Sequence, residues 1–143
     1  MIVLIRINSI SLKNNRMDKY ILGDLVSVYV GVKKYIVEVI GTANENEALL
    51  YQIKFPNGEI QYADKDNIVP IPPTSEILEK NGWRSINGKY ALKIKNANYV
   101  VLEFTEDGIY TYINENTMLF TIKYIHELQH FLFGLNINHE MEV

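Results

Sequence analysis

The stretch YIHELQHFLFG, residues 124–134, contains the pattern His-Glu-x-x-His. Two histidines four residues apart on a helix, His126 and His130, can point their imidazole nitrogens at one zinc ion. A glutamate that follows the first histidine, Glu127, can then act as the base that activates a zinc-bound water. These residue types at this spacing are typical of zinc-dependent hydrolases.

A catalytic zinc site also needs a third protein ligand. One extended template, HExxHxxGxxH, requires glycine at position 133 and histidine at position 136, whereas this chain has Phe133 and Asn136. A non-catalytic metal site can still be formed from His126, His130 and His139. The alternative for His139 is that it is simply an exposed residue of the polar segment NINHEMEV.

Hydrophobic periodicity gives the same segment a structural interpretation. On a helix from about residue 121 to 133, apolar residues cover a wide face and leave Lys123, Glu127 and His130 on a narrow polar stripe. Lys123 and Glu127 have the i,i+4 spacing of an ion pair, and Gly134 is placed to end the helix. We therefore predict a core-packing helix with no catalytic residue and no cofactor, and keep zinc binding, with Glu127 as base, as the alternative hypothesis.

Composition limits the classes of protein to consider. The chain of 143 residues is 48% hydrophobic and 22% charged, which is typical of a globular protein with one domain or two very small ones. It contains no cysteine, which excludes disulfides and thiol catalysis and is compatible with a reducing cytoplasm. The net charge is −3 and the longest basic run is Lys33-Lys34, which disfavours sequence-independent nucleic-acid binding. No apolar run approaches the length of a membrane span.

Short alternating segments dominate the first half of the chain. Strands are predicted at 24–30, 34–41, 48–55 and 59–66, and Asn57-Gly58 predicts a hairpin with a type I′ turn. These strands indicate a small SH3-like β-barrel over residues 20–72, because a closed barrel protects the edges of so short a sheet. Residues 1–19 are predicted to be an extension, in which Met17 is a possible natural start.

The second half combines helices and strands. Pro70, Pro72 and Pro73 mark a boundary, after which Thr74 or Ser75 caps a short helix that Gly82 ends. The strands of an antiparallel meander are predicted at 89–94, 99–104 and 108–113, before the terminal helix. The prediction is thus an α+β protein in which the barrel is followed by an α-β-β-β-α unit over residues 73–137 and a polar tail over 138–143.

Aromatic residues supply the candidates for binding. Trp83 is the one tryptophan and either anchors a partner or seals the first helix against the meander. Tyr29, Tyr35 and Tyr62 of the predicted barrel either line a binding groove or pack inward.

Three motifs together carry a resemblance. LGDLV, then NIVPIPPTSEILEKNGW, then TIKYIHELQHFLFGL, in this order over residues 20–137, resemble a family of short uncharacterised proteins of Bacteroidales and their phages and mobile elements. The resemblance implies no known activity. In such relatives the terminal helix is similar to YVHQLQNLYF, with Gln at the position of Glu127 and Asn at that of His130, which implies that the metal-ligand pattern is a local variant.

From these observations we predict a non-enzymatic binding or accessory protein of a phage or mobile element. The predicted partner is another protein, with no membrane association. Two alternatives remain open: a minimal zinc-dependent hydrolase, and a nucleic-acid-binding adaptor that uses the barrel. The oligomeric state is open as well.

Overall fold

The computed structural model describes residues 2–4, 20–46, 48–114 and 118–143. It is a mixed α+β structure in which most elements are strands, arranged in two sheets and accompanied by two α-helices. The predicted α+β class is therefore confirmed. The chain divides into two compact units, Met1–Ile71 and Pro72–Val143, and each is described by itself.

Unit 1 is a six-stranded sheet. Its strands are β1 (Ile2–Leu4), β2 (Leu25–Val30), β3 (Lys33–Glu45), β4 (Ala48–Lys54), β5 (Ile60–Ala63) and β6 (Ile68–Val69). They lie in the order β1-β5-β4-β3-β2-β6, and every neighbouring pair is antiparallel except β1 and β5, which are parallel. A single 3₁₀ turn, Lys65–Asn67, connects β5 to β6.

The core of unit 1 follows from strand alternation. Val26 and Val28 on β2 face Val37 and Val39 on β3, and all four side chains are buried. The described ladders leave β1 and β6 as the two edges of the sheet, so a closed SH3-like barrel stays a prediction. Of the predicted extension over residues 1–19, only the strand at 2–4 and no part of 5–19 is among the described residues, and Met17 lies outside them.

The hairpin predicted at Asn57-Gly58 joins β4 to β5, but its turn is not of type I′. The N–H of Gly58 donates to the carbonyl of Phe55 (2.9 Å), which puts Pro56 and Asn57 at the centre of the turn. Gly58 alone has positive φ (89°), and the N–H of Phe55 donates to the carbonyl of Glu59 (2.9 Å). Proline prefers the first central position of an ordinary type I turn, and this preference overrides the Asn-Gly signal.

Unit 2 contains two more strands than the predicted three-stranded meander. Its elements are α1 (Ser75–Lys80), β7 (Arg84–Ile86), β8 (Lys89–Lys93), β9 (Tyr99–Thr105), β10 (Gly108–Ile113), β11 (Met118–Ile122) and α2 (Ile125–Gly134). The strands form one antiparallel sheet in the order β11-β10-β9-β8-β7. The simple α-β-β-β-α order is therefore wrong, although its three strands are present with nearly the predicted bounds.

The first extra strand, β7, results from a second Asn-Gly pair. Asn87 and Gly88 both have positive φ (51° and 80°), which is the requirement for a type I′ turn, and they connect β7 to β8. The second extra strand, β11, covers residues 118–122, and its last two residues overlap the terminal helix predicted from about residue 121.

The ends of the helices explain their lengths. Thr74 caps α1 by accepting a hydrogen bond from the N–H of Ile77 (3.2 Å), and Gly82 ends it with φ of 90°, as predicted. At the end of α2 it is Asn136, not Gly134, that takes the left-handed conformation, with φ of 58°. The N–H of the next residue, Ile137, donates to the carbonyl of Leu132 (2.9 Å), which completes a Schellman motif.

Both helices of unit 2 contribute to one core on one face of the sheet. Leu78 of α1 and Leu128 of α2 are fully buried in the same cluster as Val100 and Leu102 of β9. Because side chains alternate along a strand, the residues between them, such as Val101, belong to the other face.

Candidate binding groove beside the terminal helix

The carboxylate of Glu127 lies at the beginning of α2. Its Oε1 accepts hydrogen bonds from the backbone N–H groups of Lys123 (2.8 Å) and Tyr124 (3.0 Å). The negative charge also interacts favourably with the positive end of the helix dipole. The bond to Lys123 is made by its backbone nitrogen, so the predicted i,i+4 ion pair is not what connects these two residues. Glu127 therefore fixes the point at which the chain turns from β11 into α2.

The three histidines do not form one cluster. His126 is 6% exposed, and its ring stacks on that of Tyr124 at a centroid distance of 5.9 Å. The rings of His126 and His130 are 5.7 Å apart and nearly perpendicular, whereas the ring of His139 contacts Phe133 at 5.0 Å. Across the described ranges, no group of three or more His, Cys, Asp or Glu side chains is placed to hold a metal ion.

Strand β11 is an edge of the unit 2 sheet and carries a β-bulge. In its pairing with β10, Thr111 opposes Phe120 and Tyr112 opposes Met118, which leaves Leu119 as the extra residue. The hydroxyl of the buried Thr111 fills the bulge, because it donates to the carbonyl of Phe120 (2.7 Å) and accepts from the N–H of Phe120 (3.3 Å).

The bulge fixes the direction in which the neighbouring backbone groups point. In an extended strand, consecutive residues direct their N–H and C=O groups to opposite sides. Since both groups of Phe120 point to Thr111 on β10, those of Thr121 point to the open side of β11. The sheet order places no described strand there. Strand alternation therefore assigns one donor and one acceptor of Thr121 to the outer side of β11, which is an edge among the described strands.

A groove of about 660 Å³ lies between β11 and one side of α2. We call it the β11–α2 groove, and it is lined by Leu119, Phe120, Thr121, Ile122, Glu127, His130, Phe131, Gly134 and Leu135. The ring of Phe120 contacts that of Phe131 edge to face at 4.8 Å. Leu119 is 47% exposed, and Leu135 is 36% exposed. The groove thus combines apolar walls with an unpaired strand edge.

The aromatic candidates from the sequence are placed elsewhere. Trp83 is buried in the core of unit 2. Of its two predicted roles, this burial favours packing of the first helix over contact with a partner. In unit 1, Tyr35 packs edge to face on Phe55 at 5.5 Å, while Tyr29 belongs to the opposite face of the sheet and is exposed. Tyr62 is half-buried on β5. Tyr29 and Tyr35 therefore do not line one common groove.

The β11–α2 groove was not predicted from sequence, because helical periodicity assigned residues 121 and 122, the end of β11, to the terminal helix. Two local signals could have located the strand. Residues 118–122 include Phe, Thr and Ile, which favour strands. A glutamate is common three residues after a helix cap, so Glu127 indicates that the helix begins after residue 124. A helix that begins at 125 leaves these preceding residues free to form a strand.

None of the helices described is long and apolar enough to cross a membrane. Comparison of the chain with known proteins found no matching family model, no matching curated protein and no matching solved structure.

Proposed function

We propose that this protein is a non-enzymatic binding protein whose β11–α2 groove receives an extended, apolar segment of a partner protein. The observation that carries the proposal is the position of β11 at an edge of the described sheet, beside the exposed side chains of Leu119 and Phe120. An added strand gains main-chain hydrogen bonds at such an edge, and pockets next to the edge select its side chains.

The chemistry of the groove favours an extended chain over a small polar substrate. Its walls are mostly aliphatic and aromatic, and burying them releases about 25 cal/mol for each Å² of apolar surface. The carboxylate of Glu127 is one of the few charged groups present, and it is already bonded to two backbone N–H groups. This engagement favours binding over hydrolysis.

The wider setting is proposed from the resemblance of the three sequence motifs. We propose an accessory protein of a phage or mobile element that acts in a bacterial cytoplasm. The finer fold of unit 1, an SH3-like barrel, is part of the same proposal. It is supported by the consecutive antiparallel neighbours from β6 to β5, and by the long β3 with its irregularity between Val39 and Gly41, since bulges let a strand bend between two sheets.

The test is a selection of peptides from a random displayed library on the immobilised full-length protein. We expect enrichment of extended sequences with alternating apolar residues, which then bind with measurable affinity in solution. Leu119→Asp or Leu135→Asp introduces a charge into the apolar wall. Each should weaken binding about tenfold or more, because burying an unpaired charge costs more than the roughly 1.4 kcal/mol that tenfold represents.

The matched control is Val32→Asp. Val32 is an apolar residue in the turn between β2 and β3 and is fully exposed, so the same change of charge is made away from the groove. It should leave peptide binding unchanged. Failure to enrich any peptide, or equal binding by the groove variants and the control, would contradict the proposed function.

A further inference from the structure

The unit 2 sheet has a second face, opposite the helices, with a different composition. We call it the open face, and pleating assigns to it Arg84, Ile86, Lys89, Ala91, Lys93, Tyr99, Val101, Glu103, Tyr110 and Tyr112. Arg84, Lys93 and Tyr99 are exposed, and Tyr110 and Tyr112 are half-buried. Cations lie mainly on β7 and β8, and tyrosines lie on β9 and β10.

A depression of about 260 Å³ interrupts this face. Ala91 and Val101, which are paired across β8 and β9, are buried at its base, and the ring of Tyr99 forms one of its walls. The volume is just below that of pockets for drug-sized ligands, so the depression has room for one flat ring system. Lys89 and Asn114 supply polar atoms in its lining.

The charge on the open face is opposite in sign to that of the whole chain. The face carries three cations, Arg84, Lys89 and Lys93, and one anion, Glu103, whereas the protein has a net charge of −3. Glu103 is 3.9 Å from the ammonium group of Lys89. Neither Arg84 nor Lys93 has an ion pair within the described part of the chain, so both are available to an anionic ligand.

The tyrosines add stacking surface next to these cations. Tyr99 is 40% exposed and directly opposes Lys93 across the β8–β9 pair. The hydroxyl of Tyr112 donates to Glu103 Oε1 (2.9 Å), which restrains its ring over the sheet. Tyr99 is at the beginning of β9, and the turn that follows the end of β9 contains Glu106 and Asp107. These carboxylates repel an anion, which directs it toward Tyr99 and away from this turn.

We infer that the open face binds single-stranded nucleic acid, with a base stacked on Tyr99 at the depression and phosphates near Arg84 and Lys93. Aromatic rings interleaved with cations suit a single strand, because unpaired bases can stack on side chains while the backbone contacts positive charge. The β11–α2 groove is not involved, so the inference does not depend on the proposed function.

The test is the fluorescence anisotropy of labelled oligo(dT) and oligo(U) of about twelve nucleotides, which is within the range that one small domain covers. The double variant Arg84→Glu with Lys93→Glu should weaken binding at least about tenfold. Its control, Lys33→Glu with Lys34→Glu, makes the same change in net charge on β3 of unit 1 and should have little effect.

A second pair of variants separates stacking from simple charge attraction. Tyr99→Ala should weaken binding about tenfold, as the loss of one stacked base implies. Tyr29→Ala removes an exposed tyrosine from unit 1 and should leave binding unchanged. The logarithm of the association constant should fall with the logarithm of salt concentration with a slope of about −1.4, which corresponds to two phosphate contacts on a single strand.

Three results would overturn the inference. The first is that no oligonucleotide binds in about 50 mM salt, where electrostatic contacts to nucleic acid are strong. The second is that the two charge-reversal variants weaken binding equally. The third is that Tyr99→Ala binds with unchanged affinity. Equal competition by an oligoglutamate of matched charge would assign the open face to an acidic protein segment instead, and would also contradict the inference. Thermal unfolding of each variant checks that the exposed substitutions leave the fold intact.

Discussion

The carboxylate of Glu127 shows how one residue type can serve two different purposes. In a zinc hydrolase the glutamate of His-Glu-x-x-His faces the metal-bound water. Here Glu127 turns back to the backbone N–H groups of Lys123 and Tyr124 at the beginning of α2. The spacing that places two histidines on one helical turn also places Glu127 three residues after the cap position, where a carboxylate stabilises the helix end.

Replacement of Glu127 should therefore change stability. We expect Glu127→Ala to lower the free energy of unfolding by about 1 kcal/mol, because two backbone donors lose their acceptor and the helix loses a favourable charge. Glu127→Gln should cost less, since an acceptor oxygen remains. Urea unfolding measures both values. Glu106→Ala, in the exposed β9–β10 turn, is the control, and an equally small effect of Glu127→Ala and Glu106→Ala would contradict the assigned role.

The second residue with a measurable chemical signature is Tyr112. Its hydrogen bond to Glu103 raises the pKa of the hydroxyl above the usual tyrosine value, and partial burial and the negative charge of Glu103 act in the same direction. Because the folded-state pKa is raised, this contribution to stability is fully present below pH about 10 and is lost as pH rises through the folded-state value.

An ultraviolet pH titration, taken as the difference between the wild type and Tyr112→Phe, isolates this hydroxyl from the other tyrosines. We expect its midpoint to lie above that of an exposed tyrosine and to fall in Glu103→Gln, where the neighbouring charge is removed. A midpoint that is the same with and without the Glu103 charge would show that the contact does not persist in solution.

Among the elements, those with strong local signals were predictable from sequence. The helix α1 has a capping threonine and a terminating glycine, and the strands β8, β9 and β10 alternate between turns. β11 was not predictable by periodicity, because Ile122 continues the apolar pattern of the helix that follows. Its course depends on a tertiary contact that periodicity does not reveal, the hydroxyl of Thr111 in the bulge at Phe120. The candidate groove therefore required the three-dimensional structure.

Two glycines of unit 2 should respond to alanine in opposite directions. Gly88 has φ of 80° in the β7–β8 turn, so Gly88→Ala should destabilise by about 1 kcal/mol. Gly134 is the last residue of α2, and a Cβ there would meet no atom within 4 Å, so Gly134→Ala should stabilise by roughly 0.5–1 kcal/mol. Thermal unfolding of the two variants compares them directly. The same sign of shift for both would contradict the backbone conformations described.

At the scale of the whole molecule, composition predicted a globular protein of one or two small domains, and the chain divides into two compact units with separate cores. Composition could not predict how charge is distributed. A chain with a net charge of −3 nevertheless places three cations and one anion on the open face of unit 2, because strand register brings residues 84, 89 and 93 together. Average charge therefore says little about the ligand of one sheet face.

A peptide strand added to the edge of β11 would form hydrogen bonds with the backbone of Thr121. Hydrogen exchange at the Thr121 amide, measured by NMR with and without a library-selected peptide, detects these bonds. We expect exchange at Thr121 to slow at least about tenfold at saturation, as new hydrogen bonding requires, while the amides of β7, the opposite edge of the same sheet, keep their rates. An unchanged rate at Thr121 under saturating peptide, or protection at β7 instead, would contradict the account.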